Sequence, residues 1–169
     1  MKKTHSQPGF TLVELLLAIS ISSTILLAGS LFLQTVLESR VKNQTIAEVE
    51  QQGLQVVQVI TQTLRNADII NSPSTGTSAA TLSLDTYTGA NNPTIFDISG
   101  GVIRMKEGAG AVVSLTNSRI TASALNFQNL SRGSTPGTIR ISFTLTHNNP
   151  SGRNEYHFSK TFYASASLR

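Results

Sequence analysis

Pro8-Gly9-Phe10-Thr11-Leu12-Val13-Glu14-Leu15-Leu16-Leu17 opens an apolar run whose length decides the fold. Residues 10–33 are mostly Leu, Ile, Val, Phe and Ala, and they carry one charge, Glu14. Residues 15–37 carry none, a stretch of 23 residues. A bilayer's hydrocarbon core takes about 20 residues of helix. The run is therefore long enough to span a membrane.

Glu14 is out of place there. A carboxylate costs on the order of 2.5–3.5 kcal/mol at mid-bilayer and less near the interface. Such groups usually have a partner. A cut between Gly9 and Phe10 would create an α-amino group four residues before Glu14. That amine, on a neighbouring chain, would neutralise Glu14 inside a bundle of apolar helices.

Gly9-Phe10-Thr11-Leu12-Val13-Glu14-Leu15 resembles the class III signal of type IV pilins and type II secretion pseudopilins. The resemblance covers residues 1–35. It implies cleavage after Gly9 by a prepilin peptidase, N-methylation of Phe10, and pairing of Glu14 with the Phe10 amine of an adjacent subunit. The implied fold is α+β: a long N-terminal helix, first transmembrane and then amphipathic, packed on a C-terminal antiparallel β-sheet domain. The implied partners are other pilin or pseudopilin subunits, the peptidase, cytoplasmic-membrane lipids and an inner-membrane assembly platform. Many members carry a disulfide near the C-terminus, and this chain has no cysteine.

Residues 1–9 form a short polar leader in which Lys2 and Lys3 precede the apolar run. The positive-inside rule keeps that end cytoplasmic. A secretory signal has a shorter apolar core and a cleavage site beyond it. Here the expected cut lies before the apolar helix, which stays in the mature protein. Residues 10–33 form the membrane and assembly half of that helix. Within it, Ser20, Ser22, Ser23, Thr24, Gly29 and Ser30 are weak helix formers that suit either close helix packing or local loosening.

The helix continues amphipathically over 34–67. Ile46, Val49, Gly53, Val57, Ile60 and Leu64 recur at spacings of three and four, a stripe that wants a sheet to pack on. A helix over 10–67 would be roughly 85 Å long at about 1.5 Å per residue. Residues 68–79 hold a Ser/Pro/Gly/Thr cluster and read as an exposed loop. Residues 80–169 alternate in the β manner, with strands expected at 81–87, 94–98, 102–105, 112–115, 120–127, 138–146 and 156–163. Gly100-Gly101 and Glu107-Gly-Ala-Gly110 are the turns. Ile139, Ile141, Phe143 and Leu145 share one face and should meet the helix stripe.

The formal charge is +4, and loss of residues 1–9 leaves eleven basic against nine acidic residues, +2. That balance gives no general nucleic-acid footprint. A DNA-binding tip subunit would need basic residues clustered by folding, for which Arg132, Arg140 and Arg153 are the candidates, with Lys106 behind them. His5, His147 and His157 lack metal spacing, and the two His of the mature chain read as solvated. No nucleophile elbow or phosphate loop occurs, so neither a catalytic site, a metal nor a cofactor is expected. Asn43-Gln-Thr45 and Asn129-Leu-Ser131 fit a glycosylation triplet that arises often by chance. The sequence thus reads as a filament subunit, with a minor pilin or pseudopilin favoured over a major one. The rivals are a membrane-tethered binding module and a DNA-binding competence pilin.

Overall fold

The computed structural model describes residues 9, 11–133 and 136–169. The leader 1–8 and Phe10 lie outside the described residues. The chain divides into two compact units, Met1–Arg40 and Val41–Arg169. Helix α1, Leu12–Arg65, supplies residues to both.

In the first unit α1 starts at a capped end. Thr11 Oγ1 accepts the Glu14 N–H at 3.3 Å, and the Thr11 carbonyl accepts the Leu15 N–H at 3.1 Å. The first bond satisfies a donor that a helix start leaves without a partner, and the second is the first turn's own bond. The large apolar side chains from Leu12 to Leu33 are each 52–75% exposed.

In the second unit α1 ends at Arg65, and the Asn66 N–H is shared between the Gln62 and Thr63 carbonyls. The helix expected to reach Ala67 stops short because Ala67 already belongs to a strand. The expected loop 68–79 is also largely structured. It holds most of β1, Ala67–Ser72, and all of β2, Ser78–Ala79. The pairing of β1 slips register twice, so its residues show no clean alternation for a sequence reader to find.

The remaining strands are β3 Leu82–Thr86, β4 Thr94–Ser99, β5 Val102–Glu107, β6 Val112–Ser114, β7 Ile120–Asn129, β8 Thr138–His147 and β9 Ser159–Ser167. They form two antiparallel sheets rather than one, in the orders β1-β3-β4-β5-β6 and β2-β7-β8-β9. The last strand begins three residues later than expected and runs further. Residues 154–156 form a single 3-10 turn instead. Lys42 Nζ donates to the carbonyls of Asn154 and His157, and Tyr156 stacks on His147 at 5.9 Å, so that turn is fastened from two sides.

The core joins the α1 stripe to both sheets. Val49, Val56, Ile60 and Leu64 are fully buried together with Leu82, Leu84, Phe96, Ile103 and Phe127. Ile139, Ile141, Phe143 and Leu145 of β8 are fully buried in the same cluster, as their alternation implies. The stripe itself is rotated slightly from the expected one. Thr45 and Val56 are buried, whereas Ile46 and Val57 are half-buried. Thr45 tolerates burial because its hydroxyl donates to the Val41 carbonyl at 3.0 Å. Gly53 lies under Phe162 of β9, whose ring stacks on Phe143 with centroids 5.4 Å apart.

Gly100 and Gly101 close the β4–β5 hairpin with φ of +58° and +76°. A two-residue hairpin turn of this kind needs positive φ at both positions. A Cβ on Gly101 would also sit 2.9 Å from Thr121 Cγ2. Gly101→Ala should therefore destabilise the protein by about 1–2 kcal/mol. Gly89→Ala, where a Cβ meets nothing within 4 Å, should be close to neutral. Thermal melts of both variants check this, and equal melting temperatures would refute the strain argument.

Candidate functional site

Gly9 is exposed, and a Cβ there would meet nothing within 4 Å. Packing within the described residues therefore does not require glycine at this position. Five residues on, Glu14 is exposed at the third position of α1, where its N–H is held by Thr11. Thr11-x-x-Glu14 is the spacing of a capping box, and Thr11 was not singled out by the sequence reading although that spacing was visible. The carboxylate stands at the positive end of the helix dipole. Its side chain has no hydrogen-bond or ion-pair partner among the described residues.

Over residues 15–33 the apolar surface of α1 goes all the way round, which suits lipid or other apolar helices. Four of its hydroxyls are turned inward on the helix itself. Ser20 donates to the Leu16 carbonyl at 2.8 Å, and Ser23 and Thr24 both donate to the Ser20 carbonyl at 2.9 Å. Thr35 donates to the Leu31 carbonyl at 2.8 Å. These bonds satisfy the four hydroxyl donors without help from solvent. The helix is unbroken through residues 22–30.

Of the three arginines considered for nucleic acid, the fold sets Arg153 apart from Arg140 by the length of a strand. Arg140 is the third residue of β8, exposed on the sheet face. Arg153 lies past the other end of β8, paired with Glu155 and set over the Tyr156 ring at 6.0 Å. The seven residue steps from Arg140 to His147 alone span roughly 24 Å of strand. Arg132 sits in the connection before β8 and has a partner of its own. Lys106 is on β5, in the other sheet. Arg104, beside it, makes two hydrogen bonds to Asp97, and these hold its guanidinium above its ordinary pKa.

A polar cluster that sequence spacing did not reveal fastens α1 to the second sheet. Glu48 Oε1 accepts from Asn117 Nδ2 at 2.8 Å and faces Arg119 Nε at 3.4 Å. Glu48 Oε2 faces His147 Nε2 at 3.8 Å, and Gln52 Oε1 accepts the Asn117 N–H at 3.2 Å. His147, expected to be solvated, is only 9% exposed, because it closes β8 instead of standing in the turn. These residues come from positions 48, 52, 117, 119 and 147, so only folding brings them together. Asn129, of the second glycosylation triplet, is buried and donates to the Pro73 carbonyl at 2.7 Å. That side chain is structural. No group of His, Cys, Asp and Glu suited to a metal occurs among the described residues.

Residues 4–30 match the prokaryotic N-terminal methylation motif. No curated protein and no solved structure matches the chain.

Proposed function

We propose, from the premise that this chain carries the class III signal of type IV pilins and pseudopilins, that it is a structural subunit of a type IV pilus-like filament. The observation that carries the reading is the methylation motif on a helix whose first half is apolar all round and bears one carboxylate at its start. The subunit waits in the cytoplasmic membrane with its N-terminus in the cytoplasm. A prepilin peptidase cuts after Gly9 and methylates the new Phe10 amine. Glu14 then pairs with the Phe10 amine of a neighbour as the chain enters the filament, and the assembly platform supplies the work. The protein itself is not an enzyme.

The place we assign is that of a minor pilin or pseudopilin, acting in initiation or at the tip. A domain with nine strands among the described residues, in a chain without cysteine, supports this over a major subunit. The test is intact and N-terminal mass spectrometry of the protein from its native membrane. A chain that begins at methylated Phe10 is the expected result. A chain that begins at Met1 in cells with an active prepilin peptidase would leave a membrane-tethered binding module as the reading.

A further inference from the structure

The outer face of the four-stranded sheet differs along its length in how its hydroxyls are used. Towards both ends, cross-strand pairs satisfy one another. Thr138 bonds Ser167, Thr144 bonds Thr161, and Thr146 bonds Ser159, each at 2.8 Å. Two rows in between break the pattern. One row is Asn126, Ser142 and Tyr163, and the other is Gln128, Arg140 and Ser165, each set in register across β7, β8 and β9. None of these six side chains has a partner among the described residues. Together with Ala164 they line an open cavity of about 590 Å³. Beside it β7 bulges between Ser123 and Asn126, with Ala124 at φ +51°. Bulges of this kind bend a strand and re-aim the next side chain.

The chemistry of the two rows is specific. Tyr163 is 74% exposed, a flat ring standing free on a sheet. Arg140 lies diagonally across from it, two residues from its register partner Ser142, and diagonal neighbours stand about 7–8 Å apart. Strands β7, β8 and β9 contain no Asp or Glu. Lys160, the other strand cation, is engaged by Glu50 at 2.6 Å. The face therefore offers one stacking ring, one unpaired guanidinium at about the span of a sugar ring, and amides and hydroxyls between them.

We infer that this face binds a carboxylate-bearing oligosaccharide. One pyranose ring stacks on Tyr163, its acidic substituent is held by the Arg140 fork, and Asn126, Gln128, Ser142 and Ser165 hydrogen-bond the ring hydroxyls. A single guanidinium suits an occasional carboxylate better than a nucleic-acid backbone, which presents a charge at every residue. The site is independent of how the N-terminus is processed, so its failure leaves the filament reading untouched.

The test uses the full chain in detergent micelles, immobilised for interferometry, with hexagalacturonate as probe. Saturable binding is expected, with Tyr163→Ala and Arg140→Gln each weakening it by about tenfold or more. Tyr163→Phe should bind nearly as the parent does, and neutral cellohexaose should bind about tenfold more weakly than the acidic probe. Both alanine and glutamine sites are exposed, so these variants should fold. Absence of saturable binding, or binding indifferent to Tyr163→Ala, overturns the proposal. So does tighter binding of oligo-dT on the same residues, which would make the face a phosphate reader. Self-association abolished by Tyr163→Ala, with no glycan binding, would make it a contact between copies and likewise overturn it.

Discussion

Glu14→Ala chains should insert and be cut normally, yet reach filaments at roughly one-hundredth of the parent level or less. In the assembled bundle the Phe10 amine would be buried among apolar helices. Removing one partner of a buried pair costs roughly 3–5 kcal/mol, because the other charge is left alone. At about 1.4 kcal/mol per factor of ten, that loss exceeds two orders of magnitude. The intact pair need add little stability of its own, since desolvation offsets most of its attraction. In the proposed assembly its value would lie in register, because a helix that docked one turn out of place would leave both charges stranded. Thr11 keeps its cap on the helix start in the variant, as that bond uses the backbone N–H of residue 14. The measurement is the ratio of the subunit in sheared filaments to that in membranes, alongside its N-terminal mass. Parental incorporation of Glu14→Ala would remove the pairing role.

Gly53→Leu should be the most damaging single change in the second unit. A Cβ at Gly53 would fall 2.1–2.4 Å from three ring atoms of Phe162. That ring is 7% exposed and stacked on the fully buried Phe143, so it has nowhere to swing. Overpacking a core costs typically about 1–3 kcal/mol, and a whole isobutyl group in contact with an aromatic ring should exceed that range. Leucine is the better helix former by about 0.8 kcal/mol, which is too little to compensate. Phe162→Ala alone should cost about 3–5 kcal/mol through the cavity it leaves. Combined, the two changes should cost well under their sum, since the leucine fills space the ring vacates. Thermal unfolding of the four proteins measures the coupling. Simple additivity would show that Gly53 and Phe162 do not share a site.

Much of this was legible because the signals were long or strictly periodic. The apolar run with its lone Glu14 gave the span, and Ile139, Ile141, Phe143 and Leu145 gave the buried face of β8. Gly100-Gly101 gave the hairpin, since few other pairs adopt its dihedrals. The misreadings were of features that carry no period. Strand β1 slips register and follows directly on the helix, so the punctuation at Ser72-Pro73 looked like the whole loop. Thr45 is polar by type, and its intrahelical bond is what lets it into the core. The start of β9 was misplaced because Tyr156 stacks on His147 instead of pairing. The Glu48 cluster and the Tyr163–Arg140 rows depend on residues far apart in sequence, and strand register alone sets them side by side.

The meeting of Gly53 with Phe162, and of Glu50 with Lys160, also sets a clock on biogenesis. These contacts close over 109 and 110 residues of chain, across every other strand. Contacts this distant in sequence slow folding, because closure entropy is lost before the packing energy is gained. The ribosome delivers α1 first and β9 last among these elements. The apolar stripe of α1 thus emerges with its sheet unmade, and the core cannot close until β9 has been synthesised. Throughout that interval the nascent domain presents bare strand edges, and shielding by a chaperone would govern its yield.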